Sequence, residues 1–92
     1  MRQILVLSSA DADLCKIQTY TREMWGGLKV IELQSIVDTT LGLLAFSPFV
    51  GRKINKRDAY ALVLGKLPFV MIYKVDDEFV RIIQVIHTKR NR

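Results

Sequence analysis

His87, the single histidine of the chain, closes an apolar run and is followed at once by Thr88-Lys89-Arg90-Asn91-Arg92. An imidazole titrates near pH 6.5 when unperturbed, so it is the side chain best suited to exchange protons at neutrality. Upstream, Arg52, Lys53, Lys56 and Arg57 crowd into the stretch Gly51 to Asp58, and Arg81 interrupts the last apolar run. Cations of this kind bind phosphate oxygens and stabilise the charge that builds on phosphorus during transfer. With His87 as acid or base they could assemble a phosphate site. No fixed spacing ties these residues together. The same groups also suit plain recognition, with His87, Lys89, Arg90, Arg92, Arg57 and Arg81 forming a basic target-binding surface and no residue acting as a catalyst. The ordinary role of a lone histidine at a strand end is a structural hydrogen bond. One histidine and the distant Cys15 do not make a metal-ligand set, and nothing in the sequence calls for a cofactor.

The charge is uneven. The chain has 92 residues and a net charge of +5; up to Phe46 there are four Lys or Arg against five Asp or Glu, and from Ser47 onward ten against four. The C-terminal half therefore carries the whole surplus, and its field draws an acidic partner, nucleic acid or acidic protein. The bland account is a charged surface that keeps the protein soluble. Half of the residues are apolar, enough for one domain over residues 1–92 near the lower end of self-sufficient size. The lone Cys15 has no internal bridging partner, which fits a reducing cytoplasm. The early apolar run Ile4 to Leu7 is too short for a signal-peptide core or a membrane span, so no membrane association is expected.

Positioning these residues falls to a recognisable series of elements. Gln3 to Leu7 reads as a short strand, and Ser8-Ser9-Ala10-Asp11 as a helix start, with a serine to cap free amides and an aspartate to suit the dipole. Ala10, Leu14, Ile17, Tyr20 or Thr21, and Met24 repeat at helical spacing. Gly26-Gly27 ends that helix near Met24. Val30, Leu33, Val37, Leu41 and Leu44 form a second stripe, and Phe46-Ser47-Pro48 closes it. The segment from Gly51 to Asp58 reads as a basic loop. Strands follow at Tyr60 to Leu64, Phe69 to Val75 and Phe79 to Ile86, with Asp76-Asp77 as turn chemistry. Phe69 to Tyr73 is apolar on both parities and is expected in the sheet interior; Arg81 and Gln84 place the last strand nearer an edge or a binding surface. Trp25 is expected to cap the helix pair, and Phe46 and Phe49 either to pack under the basic loop or to line a partner groove. The fold expected is α+β: an N-terminal strand, an antiparallel helix pair, then a three-stranded antiparallel meander, with the helices on one face of the sheet.

That order, together with Phe46-Ser47-Pro48-Phe49-Val50-Gly51-Arg52, Leu62-Val63-Leu64-Gly65-Lys66-Leu67-Pro68-Phe69-Val70, Tyr73-Lys74-Val75-Asp76 and the closing Val85-Ile86-His87 followed by bases, resembles the RelE/ParE superfamily of bacterial toxins from type II toxin–antitoxin modules. The resemblance covers nearly the whole chain and is most specific from about Leu44 to Arg90. It implies a cognate antitoxin as partner and one of two activities on one fold. RelE-like members cleave messenger RNA on the ribosome; ParE-like members poison DNA gyrase and block replication. The ribonuclease branch commonly has an arginine on the penultimate strand, where Val70 stands here, and often an aromatic or histidine acid near the C-terminus, where His87 is followed by no tyrosine. The ParE-like branch asks for an uncharged penultimate strand and a basic tail after the strand-ending histidine, and both are present. It also often carries arginines where this chain has Tyr60 and Gln84, which implies either a weakened toxic contact or the use of Arg57 and Arg81 instead. The resemblance thus implies a growth-inhibiting gyrase inhibitor first, a ribosome-dependent endoribonuclease using Arg52, Lys53, Lys56, Arg57, Arg81 and His87 second, and a non-toxic, antitoxin-binding relic third.

Overall fold

The computed structural model describes residues 1–54 and 58–88. The elements run β1 (Gln3–Val6), α1 (Ser8–Trp25), α2 (Gly27–Phe46), β2 (Arg52–Ile54), β3 (Ala59–Val63), β4 (Phe69–Val75) and β5 (Phe79–His87). The strands form one sheet in the order β1-β5-β4-β3-β2. All neighbouring pairs are antiparallel except β1 with β5, which is parallel. A parallel pair needs a long crossover, and the helix pair supplies it.

The expected α+β layer is present, with two corrections. First, the stretch expected to be a basic loop contains β2: Arg52, Lys53 and Ile54 pair with Ala61, Tyr60 and Ala59 and extend the sheet to five strands. A three-residue edge strand with two cations has too little apolar alternation to announce itself. Second, β5 is not at an edge. It lies between β1 and β4, because β1 returns to it from the far end of the chain, a pairing that no local pattern encodes. Smaller shifts move β3 to Ala59–Val63 and extend β5 to His87.

The helix pair turns on a single residue. Gly26 takes a φ of +87°, and its amide bonds to the Arg22 carbonyl at 2.9 Å; Gly27 already begins α2. Positive φ is costly for other residues, which is why glycine stands here. The apolar stripe of α2 buries Val30, Leu33, Val37 and Leu44. From α1, Ala10 and Thr21 are buried, while Leu14 and Ile17 pack at the margin of the core. Tyr20 and Met24, counted with the α1 stripe, are exposed. Opposite the helices, Met71, Tyr73, Val80, Ile82 and Val85 complete the main core. Directly paired residues share a face of a sheet. A second, smaller cluster of Ala59, Val70 and Ile72, with Ile54, Ala61 and Ile86 around it, therefore occupies the other face.

The N-terminus of α1 departs from the expected serine cap. The N-cap is Leu7, without a side-chain bond. Ser9 instead donates its hydroxyl to the Ile83 carbonyl at 2.6 Å, and Asp13 accepts the Val85 amide at 3.0 Å. These two side chains lie four apart and so on one helix face. They satisfy β5 beyond Val6, where β1 has ended and where the pairing of β5 with β4 shifts register.

Beyond the reach of the helices, aromatic rings fill the layer over β3 and β4. Tyr60 stacks on Tyr73 with centroids 5.6 Å apart, Phe49 meets Tyr60 edge-on, and the Arg2 guanidinium lies over Phe49. The Tyr73 hydroxyl accepts the Gly51 amide at 3.0 Å. A Cβ on Gly51 would stand 2.5 Å from that hydroxyl oxygen and 2.9 Å from the Ala61 carbonyl oxygen, so glycine is required by close approach.

Two predictions follow from these contacts. Asp13→Ala leaves the Val85 amide without its acceptor and should lower stability by about 1–3 kcal/mol, measured by urea unfolding; a loss below about 0.5 kcal/mol would mean that water replaces the carboxylate fully. Burial raises the Tyr73 pKa above its ordinary 10.0, against the opposing pull of the Gly51 amide. The unfolded chain then ionises before the folded one, so stability should fall as pH rises above about 10. Tyr73→Phe should remove that part of the alkaline loss, at a cost of about 1 kcal/mol at neutral pH for the lost hydrogen bond.

Candidate functional site

The residues with chemical potential are distributed by the sheet, and the sheet separates them. On β5, His87 pairs with Phe69 and Arg81 with Lys74. They lie at opposite ends of the strand, about 20 Å apart at the usual strand rise. They also lie on opposite faces: Phe69 packs with the helix-side core, whereas Arg81 and Lys74 share the open face. Arg52 opposes Ala61 on the open face, Lys53 opposes Tyr60 on the helix side, and both stand on the far edge strand. Three strand spacings, about 14 Å, separate β2 from β5. Lys56, Arg57, Lys89, Arg90 and Arg92 lie outside the described residues. Among those described, Arg52, Lys53, Arg81 and His87 do not converge on one point, as a phosphoryl-transfer site would require.

Arg81 is also committed locally. Its guanidinium pairs with the Asp76 carboxylate and lies over the Phe79 ring. Asp76 is the organiser of the β4–β5 turn: its other oxygen accepts the amides of Glu78 and Phe79 at 3.0 and 2.8 Å, and its carbonyl accepts Arg2 Nε at 2.7 Å. The carboxyl and guanidinium are both partly exposed, so this pair is a weak one and Arg81 can exchange it for another anion at small cost.

The open face is apolar where a charge-stabilising residue would be needed. Val70 lies between Val63 and Ile86, and Ile72 between Ala61 and Gln84. Val70 and Ile72 are buried. Cations stand at the margins of this patch: Arg52 on one side, Lys74 and Arg81 on the other. Tyr60, which stands where an arginine is frequent in the ParE-like pattern, is on the helix side in the aromatic stack; Gln84 is exposed on the open face.

His87 belongs to a different feature. It meets Phe69 edge-on at 5.4 Å and lines a groove of about 490 Å³ with Asp13, Lys16, Ile17, Tyr20 and Trp25. Trp25 is the last residue of α1, beside the turn that joins the helices. It is 61% exposed, meets Tyr20 edge-on, and forms a wall shared with an adjoining groove of about 340 Å³ that includes Leu33, Leu67 and Pro68. Sequence reasoning missed this pair of grooves, because the contact of α1 with the end of β5 depends on the long-range β1–β5 pairing. Phe46 and Phe49 are exposed among the described residues, and Phe49 meets Tyr60 of β3. Among the described residues, no three His, Cys, Asp or Glu side chains come together to hold a metal, and no helix is long and apolar enough to cross a membrane.

The electrostatics divide by layer. The helices carry Lys16, Arg22 and Lys29 against Asp11, Asp13, Glu23, Glu32 and Asp38 and are net acidic. The sheet and its connections hold the positive surplus. The arrangement presents a basic, partly apolar sheet side and an aromatic groove side.

No curated protein matches the sequence. Among solved structures, the chain is similar to the chromosomal ParDE toxin–antitoxin system of P. aeruginosa, with a TM-score of 0.82 at 19% identity, covering 95% of this chain and 96% of that one. It is also similar to the RelBE2 toxin–antitoxin complex of Mycobacterium tuberculosis, with a TM-score of 0.68 at 19% identity over 94% of this chain and 96% of that one. YafQ from E. coli matches with a TM-score of 0.66 at 12% identity over 98% and 97%. These likenesses establish the fold. The family model for the ParE toxin of the type II toxin–antitoxin system parDE matches residues 4–92, and the chain therefore belongs to the ParE toxin family.

Proposed function

We propose that this toxin acts in the cytoplasm by binding DNA gyrase and so stopping replication, and that a cognate antitoxin neutralises it. The observation that carries this reading is the dispersal of the candidate catalytic groups. Val70 and Ile72 occupy the middle of the open face, and Arg52, Lys53, Arg81 and His87 are spread over two faces and opposite ends of the sheet. An inhibitor that works by occupying a surface needs no convergent acid, base and phosphate clamp; it needs complementary area and charge. Arg81 supplies charge from the open face; His87, on the helix side, and Arg57, Lys89, Arg90 and Arg92, which lie outside the described residues, are proposed to add to target binding from elsewhere on the molecule.

An acidic antitoxin segment that orders on binding suits the same charge distribution. Its association should be fast and should weaken as salt rises, because contacts at the rim are screened. A binding constant that is flat across salt concentrations would place the interaction in apolar contacts instead.

The test begins with pulse-labelling of DNA, RNA and protein synthesis within minutes of inducing the chain alone. DNA synthesis should stop first, and purified chain should inhibit supercoiling by gyrase. Early loss of protein synthesis would instead favour a RelE-like ribosome-dependent mRNA endoribonuclease, in which His87→Ala or Arg81→Ala should slow cleavage by about two orders of magnitude. No effect on any of the three would leave a non-toxic, antitoxin-binding member. In the supercoiling assay, removal of residues 89–92, which keeps the bond from the Thr88 amide to the Pro68 carbonyl, should raise the inhibitory concentration about tenfold or more. Equal potency would remove the tail from the mechanism.

A further inference from the structure

We propose that the groove between Trp25 and the β3–β4 turn binds a free small molecule: an uncharged, flat, two-ring aromatic that carries one hydrogen-bonding group. The two buried threonines of the helices are satisfied differently. Thr40 is 8% exposed, and its hydroxyl donates to the Ile36 carbonyl at 2.8 Å. That is a common way for a threonine inside a helix to find a partner. Thr21 is 6% exposed, yet among the described residues its hydroxyl makes no hydrogen bond. A covered hydroxyl without a partner is costly. Its oxygen is not sealed from solvent, and it belongs to the lining of the groove of about 340 Å³.

The rest of that groove sets the class of molecule. Leu33 is buried and Leu67 packs against the same core, so both are apolar lining. Trp25, one helical turn after Thr21, and Phe69 offer ring surfaces, against which a flat aromatic packs offset or edge-on. Lys29 and Glu32 are its charged lining, and they pair with each other at 3.1 Å. An ion entering the groove would lose water and meet no unpaired opposite charge. An apolar cavity of about 150 Å³ holds benzene, so about 340 Å³ has room for a second ring and a polar group. The larger groove on the other side of Trp25 is different in kind: it carries Lys16 and Asp13, and Asp13 already accepts the Val85 amide. A partner protein would reach the Thr21 hydroxyl only by inserting a single side chain, because the residue is almost wholly covered. A free molecule of this size reaches it directly, and the hydroxyl then fixes its orientation.

Indole is the probe, with an N–H to donate to the Thr21 oxygen, and indene, the same two rings without the N–H, is its control. Trp25 is the only tryptophan of the chain, so the full-length protein gives one tryptophan side-chain N–H signal in a nitrogen–proton NMR spectrum. Indole should shift that signal saturably with one-to-one stoichiometry. Indene should bind about fivefold more weakly, the size of one hydrogen bond. Thr21→Val keeps the shape and removes the hydroxyl; it should bring indole to the affinity of indene and leave indene within about twofold. Thr40→Val, which removes a hydroxyl elsewhere in the helix pair, should leave indole within about twofold. No saturable shift up to the solubility limit of indole would overturn the site. Equal affinities for indole and indene in the unaltered chain would overturn the role of Thr21, whether or not the variants fold. N-acetyltryptophan amide carries the same ring on a peptide backbone and should bind about tenfold or more weakly, since its amides must leave water. Affinity equal to that of indole would make the groove a receptor for a partner's side chain and overturn the free-ligand assignment.

Discussion

The longest strand has a neighbour too short for it. β5 runs nine residues and β1 only four, and β1 is its sole strand neighbour on that side. Backbone groups at the interior of a sheet cannot be left unpaired, so something other than a strand has to complete that side. The α1 face carrying Ser9 and Asp13 does so, with one donor and one acceptor at the spacing of a helical turn. This fixes the start of α1 over β5, and Gly26 then folds α2 back beside it. Which face of the sheet is covered, and which remains open, follows from that arrangement.

The same constraint explains why the basic and histidine-bearing parts of the chain do different things. Because α1 lies along the end of β5, His87 faces a groove that also contains Asp13 and Lys16. The open-face cations sit on the other side of the sheet, at its margins. A layered fold holds two partner surfaces with opposite electrostatic character without any loop moving between them. The net-acidic helical layer and the basic sheet side are then the separated poles of one small molecule, and charge complementarity directs an acidic partner to only one of them.

What the sequence made legible was whatever depends on local periodicity. The stripe of Val30, Leu33, Val37 and Leu44 predicts the buried face of α2, and Phe69 to Tyr73, apolar on both parities, predicts an interior strand. The aspartate at the β4–β5 turn is likewise local chemistry, and Asp76 makes the bonds that such a residue is chosen for. The misses share a cause. β2 is three residues with two cations and reads as loop, and β5 holds Arg81 and Gln84 and looks peripheral, until their partners are known. The placement of β5 in the sheet interior depends on residues more than 70 positions away, and the aromatic stack depends on Gly51 approaching Tyr73. For the candidate site, residue types were legible and their separation was not. Arg81 and His87 are six apart in sequence, yet a strand with a register shift delivers them to different faces.

The exposed apolar residues give the last constraint. Leu28 is 84% exposed and Phe46 75%, at opposite ends of α2, and each belongs to a local group: Trp25, Leu28 and Ile31 at one end, Phe46, Phe49 and Val50 at the other. Single exposed apolar side chains are unremarkable, but grouped ones mark surfaces that spend time covered. α2 buries one full stripe and still presents apolar residues outward, more than packing within this chain requires. A small protein cannot use such residues for its own core, since the sheet has only one layer of helices to bury. Their grouping marks them as surface that a partner can cover. The two groups lie at opposite ends of α2, in the layer that Ser9 and Asp13 anchor to β5.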